Sequence, residues 1–361
     1  MKKIVLTVFL FFSIVISCNN TDDDEIGISF DRASLLNSWY NDYIQPQLND
    51  FKENLDEMKT SVSAFQSSTN LPSLEDLRNS MFLTYNSWQK VEMFNIGKAE
   101  EIYYASKMNV YPVNTARVES NILSEQYDFS NANNNAAQGL PTIDYLLYGI
   151  GDNNQTILEK FTNDQKYMNY LVNVTNEMIN NTTEIINSWE TYKGEFLNST
   201  DNTATSAVNL MINDFLYYYE KGFRANKIGI PGGVFSISPI PENVEGYYSR
   251  TYSKTYALKA FSGIMEFFNG TKSSTVSLKS IIIKLDNTNG GENLGNKINS
   301  KMQTAFNMIE SLEEDFVQQI QNDNTKFLQT YDAIQEVVVL LKVDMLQLLN
   351  IKVDYVDADG D

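Results

Sequence analysis

The sequence predicts an all-α protein made of two helical bundles packed together, and three observations carry that prediction. Apolar residues recur at steps of mostly three and four over long stretches, the spacing of one buried helix face. Clusters of Asn, Gly, Ser and Pro separate those stretches. Aromatic residues make up 12% of the chain, which supplies a substantial core without disulfides.

The first helix is expected from Asp31 or Ser34 to Ser67, with Leu36, Trp39, Tyr43, Leu48, Phe51, Leu55, Met58, Val62 and Phe65 on one buried stripe. Pro46 interrupts it and is expected to kink or restart the helix, because proline lacks the N–H that the ladder needs. A capping box, Ser73-x-x-Asp76 after Pro72, opens a second helix that ends around Gly97. A third runs from Ile157 to about Lys193, burying Phe161, Met168, Leu171, Thr175, Met178, Ile185 and Trp189. Further helices are expected over Ala204–Arg224, Glu242–Phe268, Asn293–Gln321 and Thr325–Asn350. In the last, Phe327, Tyr331, Ile334, Val338, Leu341, Met345 and Leu348 alternate steps of four and three, the pattern of a bundle helix. The polar break Asn198-Ser199-Thr200-Asp201-Asn202 divides the two bundles, residues 31–198 and 199–361.

The N-terminus reads as a secretory signal over residues 1–17. Lys2 and Lys3 form a positive start, and Ile4–Ile16 an apolar run of 13 residues. That run is short of the roughly 20 residues that span a bilayer. Val15-Ile16-Ser17-Cys18 resembles a bacterial lipobox, which implies lipidation of Cys18 and a membrane link through the N-terminal lipid. Residues 18–30 form an acidic tether, including Asn19-Asn20-Thr21-Asp22-Asp23-Asp24-Glu25. It is similar to the acidic signal behind the cysteine of some outer-membrane lipoproteins, and implies a location at that membrane with surface exposure as a hypothesis.

The formal charge of −19 repels phosphate backbones and argues against nucleic acid as a partner. The chain has no histidine, and Cys18 is its one cysteine. Those absences exclude Ser-His-Asp and Cys-His catalysis, haem ligation by histidine, and zinc sites of the His or Cys type. A metal site would have to use oxygen ligands, which suits iron(III) or another hard cation. The terminal Asp357-Ala-Asp359-Gly-Asp361 is not a calcium loop, since an EF-hand needs about 12 residues closing on a bidentate glutamate. It reads as a frayed acidic tail.

Two irregular segments hold Gly and Pro beside polar and aromatic residues. In Gln138-Gly139-Leu140-Pro141-Thr142-Ile143-Asp144-Tyr145 a glycine turn and an early proline introduce a short apolar helix, in which Asp144 favours the dipole or serves as a ligand. In the second, Arg224 and Lys227 flank Gly229-Ile230-Pro231-Gly232-Gly233; they suit an anionic ligand or are ordinary surface cations. Trp88 reads as core and Glu92 as a solvated or ion-paired residue. Tyr217–Tyr219, Tyr247 and Tyr248 serve packing or, as clustered phenols, glycan or iron(III) binding.

The first segment resembles the signature of imelysin-like proteins, Gly-x-His-x-x-Glu. Gly139 matches its glycine, Pro141 stands at the histidine, and Asp144 stands at the glutamate. Trp88-Gln-Lys-Val-Glu92-Met-Phe94-Asn-Ile-Gly97, then Asn226–Gly233 with Tyr247-Tyr248-Ser249, and the stretch from Leu348 to Asp361 resemble further family segments in order and spacing. The resemblance implies a two-domain helical fold with the signature near an interdomain cleft, and an association with envelope iron uptake and an outer-membrane transport partner. The family's older label implies a peptidase; a structural or glycan-binding surface lipoprotein is the other alternative. With Pro141 in the signature, a His/Glu metal pair cannot form, and Asp144 remains as the carboxylate for a cation or an amine.

Overall fold

The structure, a computed structural model, describes residues 30–355. The readings placed on Cys18, on the tether and on Asp357–Asp361 lie outside those residues. Every regular element among the described residues is helical. None of these helices is long and apolar enough to cross a membrane.

Asp31 caps the first helix, its carboxylate accepting from the Ser34 amide. The helix Arg32–Ser38 widens into a π-helical turn, Trp39–Ile44, and continues as Gln45–Ser67. Pro46 lies in the first turn of that last part. The missing proline N–H is absorbed by widening the ladder, with the Gln45 amide bonding Tyr40, five residues back, in place of a sharp kink. All nine expected stripe residues are buried.

The second helix starts earlier than Ser73. Asn70 is its cap, and Ser73 returns the bond as the third helical residue, with Pro72 inside the first turn. Asn70→Ala is expected to lose about 1 kcal/mol of stability in urea unfolding, the usual worth of such a cap. The helix Leu71–Trp88 then gives way to turns before Gly97.

The expected third helix is two, Asn154–Asn163 and Gln165–Asn198, broken where Asp164 turns extended (φ −135°, ψ 102°) and caps the longer one. Its seven expected inward residues are nonetheless buried.

In the second half, Ala207–Tyr217 runs into a π-helical stretch, Tyr218–Gly229, and a final turn, Ile230–Gly232. The helix expected from Glu242 begins only at Ser253; residues 244–252 are turns, with Gly246 (φ 71°) and Arg250 (φ 63°) in the left-handed region. Leu294–Glu310 and Phe316–Val339 replace the expected pair, because the break falls at 311–315 and Asp323 only kinks the second (φ −152°, ψ 79°). Leu278–Thr288, capped by Ser277 and Ser280, escapes the periodicity reading.

Elements on both sides of the 198/199 turn share one core. Trp39 stacks on Phe267 with ring centroids 4.6 Å apart, and Tyr85 stacks on Tyr256 at 4.4 Å. The Tyr43 hydroxyl donates to the Gly263 carbonyl at 2.9 Å.

Candidate functional site

Where the two halves of the chain meet, a buried polar cluster replaces apolar packing. Its centre is Lys227, only 2% exposed, on the π-helical stretch. The Lys227 Nζ donates to Glu245 Oε2 at 2.6 Å and to Gln89 Oε1 at 2.8 Å, and lies 3.3 Å from Glu92 Oε2. Asn109 donates to both carboxylates, to Glu92 Oε1 at 2.7 Å and Glu245 Oε1 at 2.8 Å, and accepts from the Tyr85 hydroxyl at 2.7 Å. Gln89 donates to Glu245 Oε1 at 3.0 Å, and the Tyr218 hydroxyl to Glu92 Oε2 at 3.0 Å. Burial opposes the lysine charge, but Glu245 and Glu92 outweigh it and hold its pKa above the ordinary lysine value. Burial, reinforced by the same carboxylates, keeps the phenols of Tyr111 and Tyr218 protonated well above their usual range.

Above this cluster opens a cavity of about 450 Å³, with Glu92, Asn109, Tyr111 and Tyr218 on its walls. A second, of about 220 Å³, is lined by Pro141, Asp144, Tyr247 and Tyr248; the ring of Tyr111 borders both.

The short helix Gly139–Asp144 is buried throughout. Gly139 adopts φ +74°, and a Cβ there would meet the Met108 carbonyl oxygen at 2.3 Å. Gly139→Ala is therefore expected to cost about 2–3 kcal/mol, from left-handed strain and backbone crowding, read as a lowered Tm. Asp144 ties this helix to the other half: Oδ2 accepts the Tyr248 amide at 3.0 Å and Oδ1 the Ser249 amide at 3.1 Å. Burial pushes its pKa up to about 6, against the hydrogen bonds from Ser249 and Tyr248 that favour the charged form.

These residues do not fit a metal at the signature. Pro141 offers no ligand atom, both Asp144 oxygens are engaged by amides, and the described residues include no group of three or more His, Cys, Asp or Glu placed to hold a metal ion.

The structure brings Glu92, Lys227, Asp144, Tyr248 and Ser249 to this seam. It also corrects the surface reading of two cations, because Arg224 and Lys227 are both buried. Arg224 belongs to a separate network, donating to the Tyr331 hydroxyl at 2.6 Å and to Gln335, with Glu220 at 3.6 Å. Trp88 is core, packed between Phe51 and Tyr104 at centroid distances of 5.2 Å. Pro231 is buried in the turn after the π-helical stretch, its carbonyl accepting from Ile240. Sequence reasoning missed Glu245, Gln89, Asn109 and Tyr111. Glu245 fell inside an expected helix; a glutamate close to a Gly-Tyr-Tyr turn was the only signal it carried.

The imelysin family (peptidase M75) matches residues 44–343. An imelysin-like protein from Psychrobacter arcticum 273-4 shares the fold at 17% identity and a TM-score of 0.69, over 91% of this chain and 99% of that one. A protein from Parabacteroides distasonis ATCC 8503, named as an iron-regulated protein A precursor, does so at 16% identity and a TM-score of 0.72, over 88% and 95%. No curated protein matches the chain.

Proposed function

This chain is a member of the imelysin family, and we propose that it is a non-enzymatic, lipid-anchored envelope protein that binds its ligand in the larger cavity as a component of iron uptake. The observation that carries this reading is the floor of that cavity. The charged groups of the floor are spent on one another, so Glu92, Glu245 and Lys227 offer no free base or nucleophile there. Asp214 on the wall, its pKa raised to about 7 by burial and by Glu100 and Asp354, is the one lining carboxylate that makes no ion pair among the described residues. A peptidase would need an activated nucleophile or a metal-bound water. With no histidine and with Cys18 as its one cysteine, the chain lacks the usual means of supplying either. The link to iron comes from the fold neighbour named as iron-regulated. The anchor rests on Lys2, Lys3, the Ile4–Ile16 run and Cys18. With the acidic tether, it supports a location at the outer membrane, on the outer face, with a transport protein of that membrane as partner.

Deleting the gene is expected to slow growth when iron is chelated, with rescue by the full-length chain and none by Cys18→Ala. Unimpaired growth of the deletion strain under chelation overturns the iron role. Cleavage of peptide substrates by the purified protein, with or without divalent metals, would restore the peptidase reading.

A further inference from the structure

We propose that the 450 Å³ cavity binds a neutral, polyhydroxylated ligand, a saccharide of one or two rings; this rests on the reading of that cavity as a ligand site and not on the iron role. The volume lies within the range of about 300–1,000 Å³ usual for small-molecule sites.

A sugar hydroxyl both donates and accepts, so its best partner offers both functions, as a primary amide does. Asn95, Asn226 and Asn243 line the cavity, and none of their side chains hydrogen-bonds to the protein among the described residues. Asn109, on the floor, is by contrast fully engaged by Tyr85, Glu92 and Glu245.

A sugar ring also presents an apolar C–H face, which needs an aromatic platform. Tyr103 and Tyr217 supply two at the cavity wall, 72% and 52% exposed. Tyr103 is moreover held at φ 55°, a left-handed conformation that is strained for an aromatic residue and persists only where the surroundings impose it.

The charges argue for a neutral ligand. Lys227 is matched by Glu92 and Glu245 beneath the cavity. Lys221 and Asp214 also line it without pairing with each other, and burial raises the Asp214 pKa to about 7, which removes part of its charge. Tyr111 and Tyr218 remain protonated phenols, which hydrogen-bond to hydroxyls and are poor ligands for a bare ferric ion.

The test is isothermal titration of the full-length protein in detergent with glucose, galactose, N-acetylglucosamine and their β1,4-linked dimers. Ferric citrate and spermidine run as parallel arms. At least one sugar is expected to bind, and Tyr217→Ala and Asn226→Ala are each expected to weaken it at least tenfold, with Tm unchanged for the exposed Asn226 and slightly lowered for Tyr217, whose ring meets Tyr355. Absence of binding by every sugar, or sugar binding indifferent to both substitutions, overturns the proposal. Ferric citrate or spermidine binding without any sugar also overturns it, yet leaves the ligand-binding reading standing. Failure of all arms, together with normal growth of the deletion strain under chelation, removes both.

Discussion

Lys227→Met is expected to destabilise the protein by about 3–5 kcal/mol at pH 7, the usual cost of stranding buried charge by removing one partner. The methionine keeps most of the lysine volume, so the loss is electrostatic and not a cavity effect. Glu245, 4% exposed, would lose the ammonium 2.6 Å from its Oε2, and Glu92 the one 3.3 Å away. One consequence separates this account from simple misfolding. Adding Glu245→Gln is expected to recover part of the loss, with a coupling energy of about 0.5–3 kcal/mol in a double-mutant cycle. In the unmutated protein the lysine pKa is raised in the folded state. Its stabilising contribution is therefore complete below the ordinary lysine value and is lost as pH climbs through the raised one. Chemical unfolding of the variants between pH 7 and 11 measures both effects; a deficit that stays flat as pH climbs past the ordinary lysine value would sink the charge argument.

Asp144→Ala is expected to cost about 2–6 kcal/mol at pH 7, since it orphans two amides, at about 1–3 kcal/mol each. Those amides, of Tyr248 and Ser249, are held 3.0 and 3.1 Å from its oxygens and join the two halves of the chain. The pH signature is as informative as the magnitude. The carboxyl titrates at about 6 when folded and at its ordinary 3.8 when unfolded. Between those values the folded state holds more protons, so this group makes the protein less stable as pH rises from about 4 to 6. Two units correspond to about 3 kcal/mol. Asp144→Asn, which keeps one acceptor oxygen, is expected to remove that slope while losing less stability than the alanine variant. An unchanged slope in Asp144→Asn would mean that another group titrates.

Much of the fold was legible because burial imposes a period on the sequence. The stripe from Leu36 to Phe65 and the seven residues from Phe161 to Trp189 are buried as the spacing predicts. Helix ends were harder to read, because several residues can serve as the same cap. Ser73 has a cap's chemistry, but Asn70 takes the position and Ser73 completes the box three residues later. The turns at 244–252 were hidden inside an expected helix, since tyrosine, serine and glutamate suit either state. Asp144, Glu92 and Lys227 were found by motif and order. Glu245, Gln89 and Asn109 were not, because no local pattern distinguishes a buried glutamate from a solvated one.

The sequence by itself determined that this protein is helical, which helix faces are buried, and that histidine and internal thiol chemistry are closed to it; each follows from residue type and local period. Only the tertiary structure decided that Lys227, which local pattern left open as a surface cation, is a buried ion-pair partner. Charge survives burial only beside compensating charge, and Glu92 and Glu245 reach Lys227 from distant points in the chain through the packing of its two halves.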